Sequence, residues 1–202
     1  MEFHSFSVNE VLRLATRKWI FDYIPKNKVW AEVGVFRGHF SDMIHHLAQP
    51  SKLYLVDPWQ KLGKYFGFNS PYDDFGKLST AFAKEEVENR AKLYKCKTII
   101  VEQFSLDFCK RIKEKVDVIY LDSSHNYEMT LKELPALASI LKDDGFLCGD
   151  DWHYYPSNRH HGVFRAIHEF IKENNFQVIA AGPGKQWILK RAPEYDSPVT
   201  KK

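Results

Sequence analysis

Three aspartates and one histidine stand where they could do chemistry. Asp122 closes the apolar run Val116–Leu121, and the pair Asp150–Asp151 follows the apolar run Phe146–Cys148. If these runs are neighbouring strands of an open sheet, their carboxyl ends lie side by side and the carboxylates converge. Three ionised carboxylates crowded together require a cation between them. Oxygen-only ligands favour a hard ion, Mg²⁺ first, with Mn²⁺ or Ca²⁺ as substitutes. Adjacent residues of a regular strand point to opposite faces, but at a strand end both can turn inward. His125 lies in the loop after Asp122. A metal acidifies a bound hydroxyl, yet something must still take the proton, and histidine suits that role near neutral pH. The chemistry is activation of a weakly acidic hydroxyl such as a sugar's.

A second group surrounds a turn. The run Val29–Val35 contains Glu32 and Gly34, and Gly38 precedes a segment of helical pattern that carries Ser41. Glycine lets the chain turn sharply beside a ligand, and a helix amino terminus offers free N–H groups. Asp57 closes the next apolar run, Lys52–Val56, where a carboxylate can accept both hydroxyls of a ribose. Phe36 stands where the dinucleotide pattern G-x-G-x-x-G needs its second glycine. That ring leaves little room for a pyrophosphate and opposes a nicotinamide oxidoreductase. A nucleoside without phosphate fits better.

These residues need a scaffold of alternating strands and helices. The spacing predicts strands at Val29–Val35, Lys52–Val56, Thr98–Val101, Val116–Leu121, Phe146–Cys148, Phe176–Ala181 and Gln186–Lys190. Helices are expected from the Ser7–Glu10 capping box onward, before Ala48, at Lys77–Lys92, at Glu128–Lys142 with Gly145 as terminator, and at Val163–Glu173. In the first helix Val8, Val11, Leu12, Ala15, Trp19 and Ile20 form the apolar face. Strand–helix alternation implies an α/β doubly wound, Rossmann-like sheet, mainly parallel. The last two strands lie too close for a crossover helix and should pair antiparallel.

The chain has 202 residues, 44% of them apolar, with a net charge of +3. One domain over 1–192 with a polar tail at 193–202 is expected. There is no polybasic stripe for nucleic acid, no apolar run long enough for a membrane span and no signal-peptide pattern at the start, so a cytoplasmic protein is expected. Cys96, Cys109 and Cys148 lack metal or disulfide spacing. Two decoys are set aside. Asn69–Tyr72 approaches the N-P-P-Y element of amino-methyltransferases but follows the second strand. His153, His160 and His161 form no closed zinc set and read as a flexible surface or substrate loop.

The motifs E-x-G-x-x-x-G, L-Y-L-V-D, V-D-V-I-Y-L-D and G-F-L-C-G-D-D-W resemble the successive strand ends of class I S-adenosylmethionine-dependent methyltransferases. Within that class the chain is similar to the metal-dependent sugar O-methyltransferases of the macrolide type. The resemblance implies a seven-stranded sheet with an antiparallel last strand and S-adenosylmethionine as cofactor. It places Glu32, Gly34, Gly38 and Ser41 around the methionine part, Asp57 on the ribose, and Phe104 and Ser105 beside the adenine. Gln103-Phe104-Ser105 replaces the usual G-D-S there. It also supports the metal at Asp122, Asp150 and Asp151; His125, from its place beside them, and Asp122 are the expected catalytic residues. The expected acceptor is a sugar hydroxyl of a glycan or glycoside, held by aromatics of Trp59–Phe75 and Trp152–His161; a homo-oligomer is compatible. The alternatives are a catechol-type small-molecule O-methyltransferase, which would depend less on His125, and a non-catalytic nucleoside-binding subunit.

Overall fold

Every position of Val116–Leu121 is buried, which is why the run reads as continuously apolar. Val118 and Tyr120 face one core layer, Ile119 and Leu121 the other. A strand covered on both faces must lie centrally, and this one does. In the computed structural model, which describes residues 8–193, seven strands form one sheet: β1 (Val29–Val33), β2 (Lys52–Asp57), β3 (Lys97–Glu102), β4 (Val116–Leu121), β5 (Leu141–Gly149), β6 (Phe176–Ala181) and β7 (Trp187–Arg191). Their order is β3-β2-β1-β4-β5-β7-β6. The first five pair in parallel, and β7 runs antiparallel to both β5 and β6. This is the doubly wound Rossmann-like sheet of the sequence reading.

The helices are α1 (Val8–Arg17), α2 (His39–Met43, continued by a π turn to Ala48), α3 (Thr80–Ala91), α4 (Ser105–Arg111), α5 (Tyr127–Ile140) and α6 (His161–Glu173). Phe108, Leu134, Leu137 and Phe170 fill one layer of core. Trp30, Phe40, Ile44, Trp59 and Val87 fill the other. Among the described residues no helix is long and apolar enough to cross a membrane. The Ser7 end of the capping box and residues 194–202 lie outside the described residues.

Two local expectations need correction. Gly145 does not terminate a helix: α5 ends at Ile140 and Gly145 lies inside β5. A Cβ there would meet the Leu141 side chain at 2.7 Å and the Asp117 carbonyl at 2.9 Å, so close packing of β5 on β4 selects the glycine. In α1, Val11 and Leu12 are exposed at 51% and 59%, while Arg17 is 3% exposed. Of the expected apolar face, Ile20 is fully buried and Trp19 packs on the core just past the helix, but within α1 it is Arg17 that turns toward the sheet.

Candidate active site at the strand ends

Strand order reverses between β1 and β4, and ligands of open α/β sheets bind at such a switch point. The ladder continues one step past the strands there. Gly34 N–H donates to the Val56 carbonyl at 2.8 Å, Asp122 N–H to Val33 at 2.8 Å and Asp150 N–H to Leu121 at 3.1 Å. The sheet itself therefore sets the functional residues in a row.

A cavity of about 560 Å³ opens beside this row, a size suited to a nucleoside cofactor with a small acceptor. Glu32, Gly34, Asp57, Phe104, Ser105, Asp122 and His125 line it. Gly38, Ser41, Asp150 and Asp151 do not. Gly34 has φ 92°, and a Cβ on it would collide with the Asp122 carbonyl oxygen at 1.9 Å. Its first task is to let the turn pack on β4. Gly38, at φ 78°, packs against Arg90 and Val87 of α3.

Asp57 is also busier than expected. Its Oδ2 accepts from Val35 N–H at 3.0 Å and Phe36 N–H at 2.9 Å, and its Oδ1 from Trp59 N–H at 2.9 Å. Burial raises its carboxyl and these three bonds oppose the rise. Oδ1 keeps capacity for a further donor. Glu32 is fully enclosed, and burial pushes its carboxyl well above the usual range; Ser41 Oγ is its hydrogen-bond donor among the described residues. A buried carboxyl so poorly compensated suits an ammonium such as that of a methionine moiety. The cavity and this acid fit S-adenosylmethionine.

Glu133 was not anticipated. It is 2% exposed and accepts from Ser105 Oγ at 2.5 Å and Ser123 Oγ at 2.7 Å, tying the start of α4 to the loop after β4. A glutamate among the buried positions Thr130, Leu134 and Leu137 of α5 was the signal.

The three aspartates are divided between two sets of partners. Arg17 donates to Asp150 and, at 3.2 Å, to Asp122. Gln186 Nε2 takes the other Asp150 oxygen at 2.6 Å, and Tyr120 donates to Gln186 at 2.6 Å. Burial and the Asp122 charge push the Asp150 carboxyl up, against the pull of Arg17. Asp151 has φ 66° and turns away from this network. It meets His125 Nδ1, His160 Nδ1 at 3.4 Å and His153 Nε2 at 3.5 Å. Burial alone would raise Asp151, but these histidines hold it below the usual carboxylate range. The inference that the carboxylates need Mg²⁺ is therefore corrected: a guanidinium supplies the positive charge at Asp122 and Asp150. Displacing it would strand a buried arginine. The group with ligand spacing is His125, Asp151 and His160, whose donor atoms lie within 4.8 Å of one another. Such a nitrogen-rich set suits a transition ion rather than Mg²⁺, so the oxygen-only Mg²⁺ site does not fit this arrangement. His153 and His160 of the following loop both face Asp151.

His125 has φ 59°, a left-handed conformation of the kind that stores strain at functional sites. Burial disfavours its imidazolium, but the Asp151 hydrogen bond and the charges of Asp122, Asp151 and Asp150 outweigh this and raise it to about 9. Of the aromatics expected around an acceptor, Phe66, Phe68 and Tyr72 line the cavity together with Phe36. Phe36 stacks on Tyr72 at 4.3 Å and meets Phe66 edge-on at 4.7 Å. Trp59 instead is core, its Nε1 bonded to the Phe36 carbonyl. Trp152 packs on Phe164 and His168, and Tyr65, Tyr154 and Tyr155 are exposed.

Comparison with curated proteins finds no matching sequence. Solved structures do match. The O-methyltransferase TomG of Streptomyces achromogenes, involved in tomaymycin synthesis and solved with S-adenosylmethionine, is 13% identical with a TM-score of 0.57, over 93% of this chain and 82% of that one. An rRNA methylase of Streptococcus thermophilus is 10% identical with a TM-score of 0.54, over 95% and 99%. The M. jannaschii tRNA m1G37 methyltransferase is 17% identical with a TM-score of 0.53, over 93% of this chain and 49% of that one. At these identities the likeness concerns the fold. A family model described as a methyltransferase domain matches residues 31–152. The chain belongs to that family and is a class I S-adenosylmethionine-dependent methyltransferase.

Proposed function

We propose that the chain is an O-methyltransferase acting on a hydroxyl of a small molecule, a sugar in preference to a catechol, with His125 as general base. The single observation that supports this best is the Asp151–His125 pair at the cavity edge. With Nδ1–H held by Asp151, the imidazole keeps the tautomer that leaves Nε2 free to take a proton, the logic of a hydrolase dyad. A sugar hydroxyl is a very weak acid and needs such a base; a catechol needs it less.

The bound cofactor supplies an electrophilic methyl group. The chain's own residues do the rest. Glu32 receives the ammonium of the methionine part. Asp57 takes a ribose hydroxyl on Oδ1 while it holds the turn. Phe104 and Ser105 border the adenine, with Glu133 fixing Ser105. Phe36, Phe66, Phe68 and Tyr72 form flat apolar walls that suit the C–H face of a pyranose and exclude water. The acceptor oxygen is aligned between these walls and His125, which receives its proton. Asp122 and Asp150 hold Arg17 and keep the loop of His125 in place. No step passes through a divalent ion.

The test is labelled S-adenosylmethionine offered with deoxyhexose glycosides, catechols and RNA. Label in the glycosides, lost in His125→Ala, is expected. Label confined to catechols refutes the sugar, and label in RNA refutes the small-molecule acceptor.

A further inference from the structure

Four arginine and lysine side chains line the cavity: Arg13, Arg17, Arg37 and Lys110. Three of them have a carboxylate partner. Arg17 holds Asp150, Arg37 holds Glu86 and Lys110 lies 3.8 Å from Asp107. Arg13 has no such partner among the described residues. Its guanidinium lies over the Tyr72 ring, 5.0 Å from the centroid, and its Nε is buried without a hydrogen-bond acceptor. The Nε of neighbouring Arg17 is likewise buried and unpartnered, although its other nitrogens are engaged. A guanidinium is charged at every physiological pH, and its N–H groups are costly to leave unsatisfied when taken out of water. An arginine held by the ring and hydroxyl of a tyrosine, with no carboxylate within ion-pair distance among the described residues, is preorganised for an anion from outside the chain.

We propose that the acceptor carries an anionic group, a phosphate or a carboxylate, and that Arg13 binds it. This rests on the assignment of the aromatic half of the cavity to the acceptor. Arg13 stands over Tyr72, which stacks on Phe36 in that half. An anion gripped there in a planar, two-point fashion fixes the sugar ring between the aromatic walls and turns one hydroxyl toward His125. A cavity of about 560 Å³ holds a cofactor and one sugar unit, which favours a free anionic sugar over a nucleic-acid backbone.

The experiment titrates the full chain, saturated with S-adenosylhomocysteine, with glucose 6-phosphate, glucuronate, glucose and a short oligouridylate. At least one anionic sugar is expected to bind about tenfold or more tightly than glucose. Arg13→Gln should abolish that preference and Arg13→Lys restore part of it, while both variants keep wild-type affinity for S-adenosylhomocysteine. Glucose 6-phosphate against glucuronate tells which anion is preferred. Equal binding of the three sugars, or a preference that survives Arg13→Gln, overturns the proposal. Tighter binding of the oligouridylate than of either anionic sugar overturns it in favour of RNA. Loss of the preference together with loss of S-adenosylhomocysteine affinity shows a collapsed site and also counts against it. An anion preference that depends on Arg13, combined with failure of His125→Ala to lower methyl transfer, would leave Arg13 standing and sink the base.

Discussion

His125 shows how one charge pair acts in opposite senses on rate and on stability. Its imidazolium is favoured by Asp151, so the group is raised from 6.5 to about 9. The stabilisation from this pair is present in full below about pH 6.5 and is lost as pH rises through about 9. Because the side chain is 33% exposed, that contribution is on the order of 1 kcal/mol. Proton abstraction runs the other way, since only neutral imidazole can accept. His125→Ala should lower turnover by about 10²–10⁴-fold while calorimetry shows unchanged S-adenosylhomocysteine affinity; normal turnover would place the base elsewhere. Glu32→Gln should do the reverse, weakening S-adenosylhomocysteine by about tenfold or more as an ammonium–carboxylate pair is lost. Unchanged affinity would remove Glu32 from the cofactor site. The strand-end residues were legible in the sequence because each closes an apolar run. Their partners were not, because Arg17 lies far from Asp150 along the chain and His160 reaches Asp151 only through the fold.

At the scale of elements, α1 is the piece whose role could not be read from its pattern. Its apolar positions Val11 and Leu12 suggested a buried face, yet the helix is anchored through Arg17 to Asp122 and Asp150. Periodicity reports which side chains prefer burial and says nothing of an arginine that is buried because acids wait for it. Arg17→Met should cost about 3–5 kcal/mol, the range for breaking a buried pair and leaving its acids unpaired. Denaturant unfolding measures this directly, and a loss below about 1 kcal/mol would mean the pair is a solvated contact. Helix α5 teaches the same lesson through Glu133. Its apolar neighbours set the helix, while the glutamate serves Ser105 at the start of α4 and Ser123 in the loop after β4. The boundaries of β4 and β6 could be read directly from the residues, since turn residues and helix caps flank them. Gly145 could not, because the constraint on it is the Asp117 carbonyl of a neighbouring strand.

At the scale of the whole molecule, the sheet order places the turn after β1, the end of β2 and the loop after β4 around one cavity. The α1 helix and the aromatic segment that follows β2 close its other side. Charge balance there is internal, with Arg17 and His125 set against Asp122, Asp150 and Asp151. Methyl transfer in excess chelator should therefore stay within about twofold of the untreated rate. Activity lost to chelator and restored by Mg²⁺ would contradict catalysis without a divalent ion. The most direct measurement of hydroxyl activation by the Asp151–His125 pair is the pH dependence of kcat/KM for methyl transfer, in the wild type and in Asp151→Asn. The wild type should rise about tenfold per pH unit and level off near pH 9. Asp151→Asn should level off at lower pH and at a lower plateau, because the partner that raises and orients the imidazole is gone. A wild-type profile flat from pH 6 to 10, or one unmoved by Asp151→Asn, would contradict a proton transfer through His125.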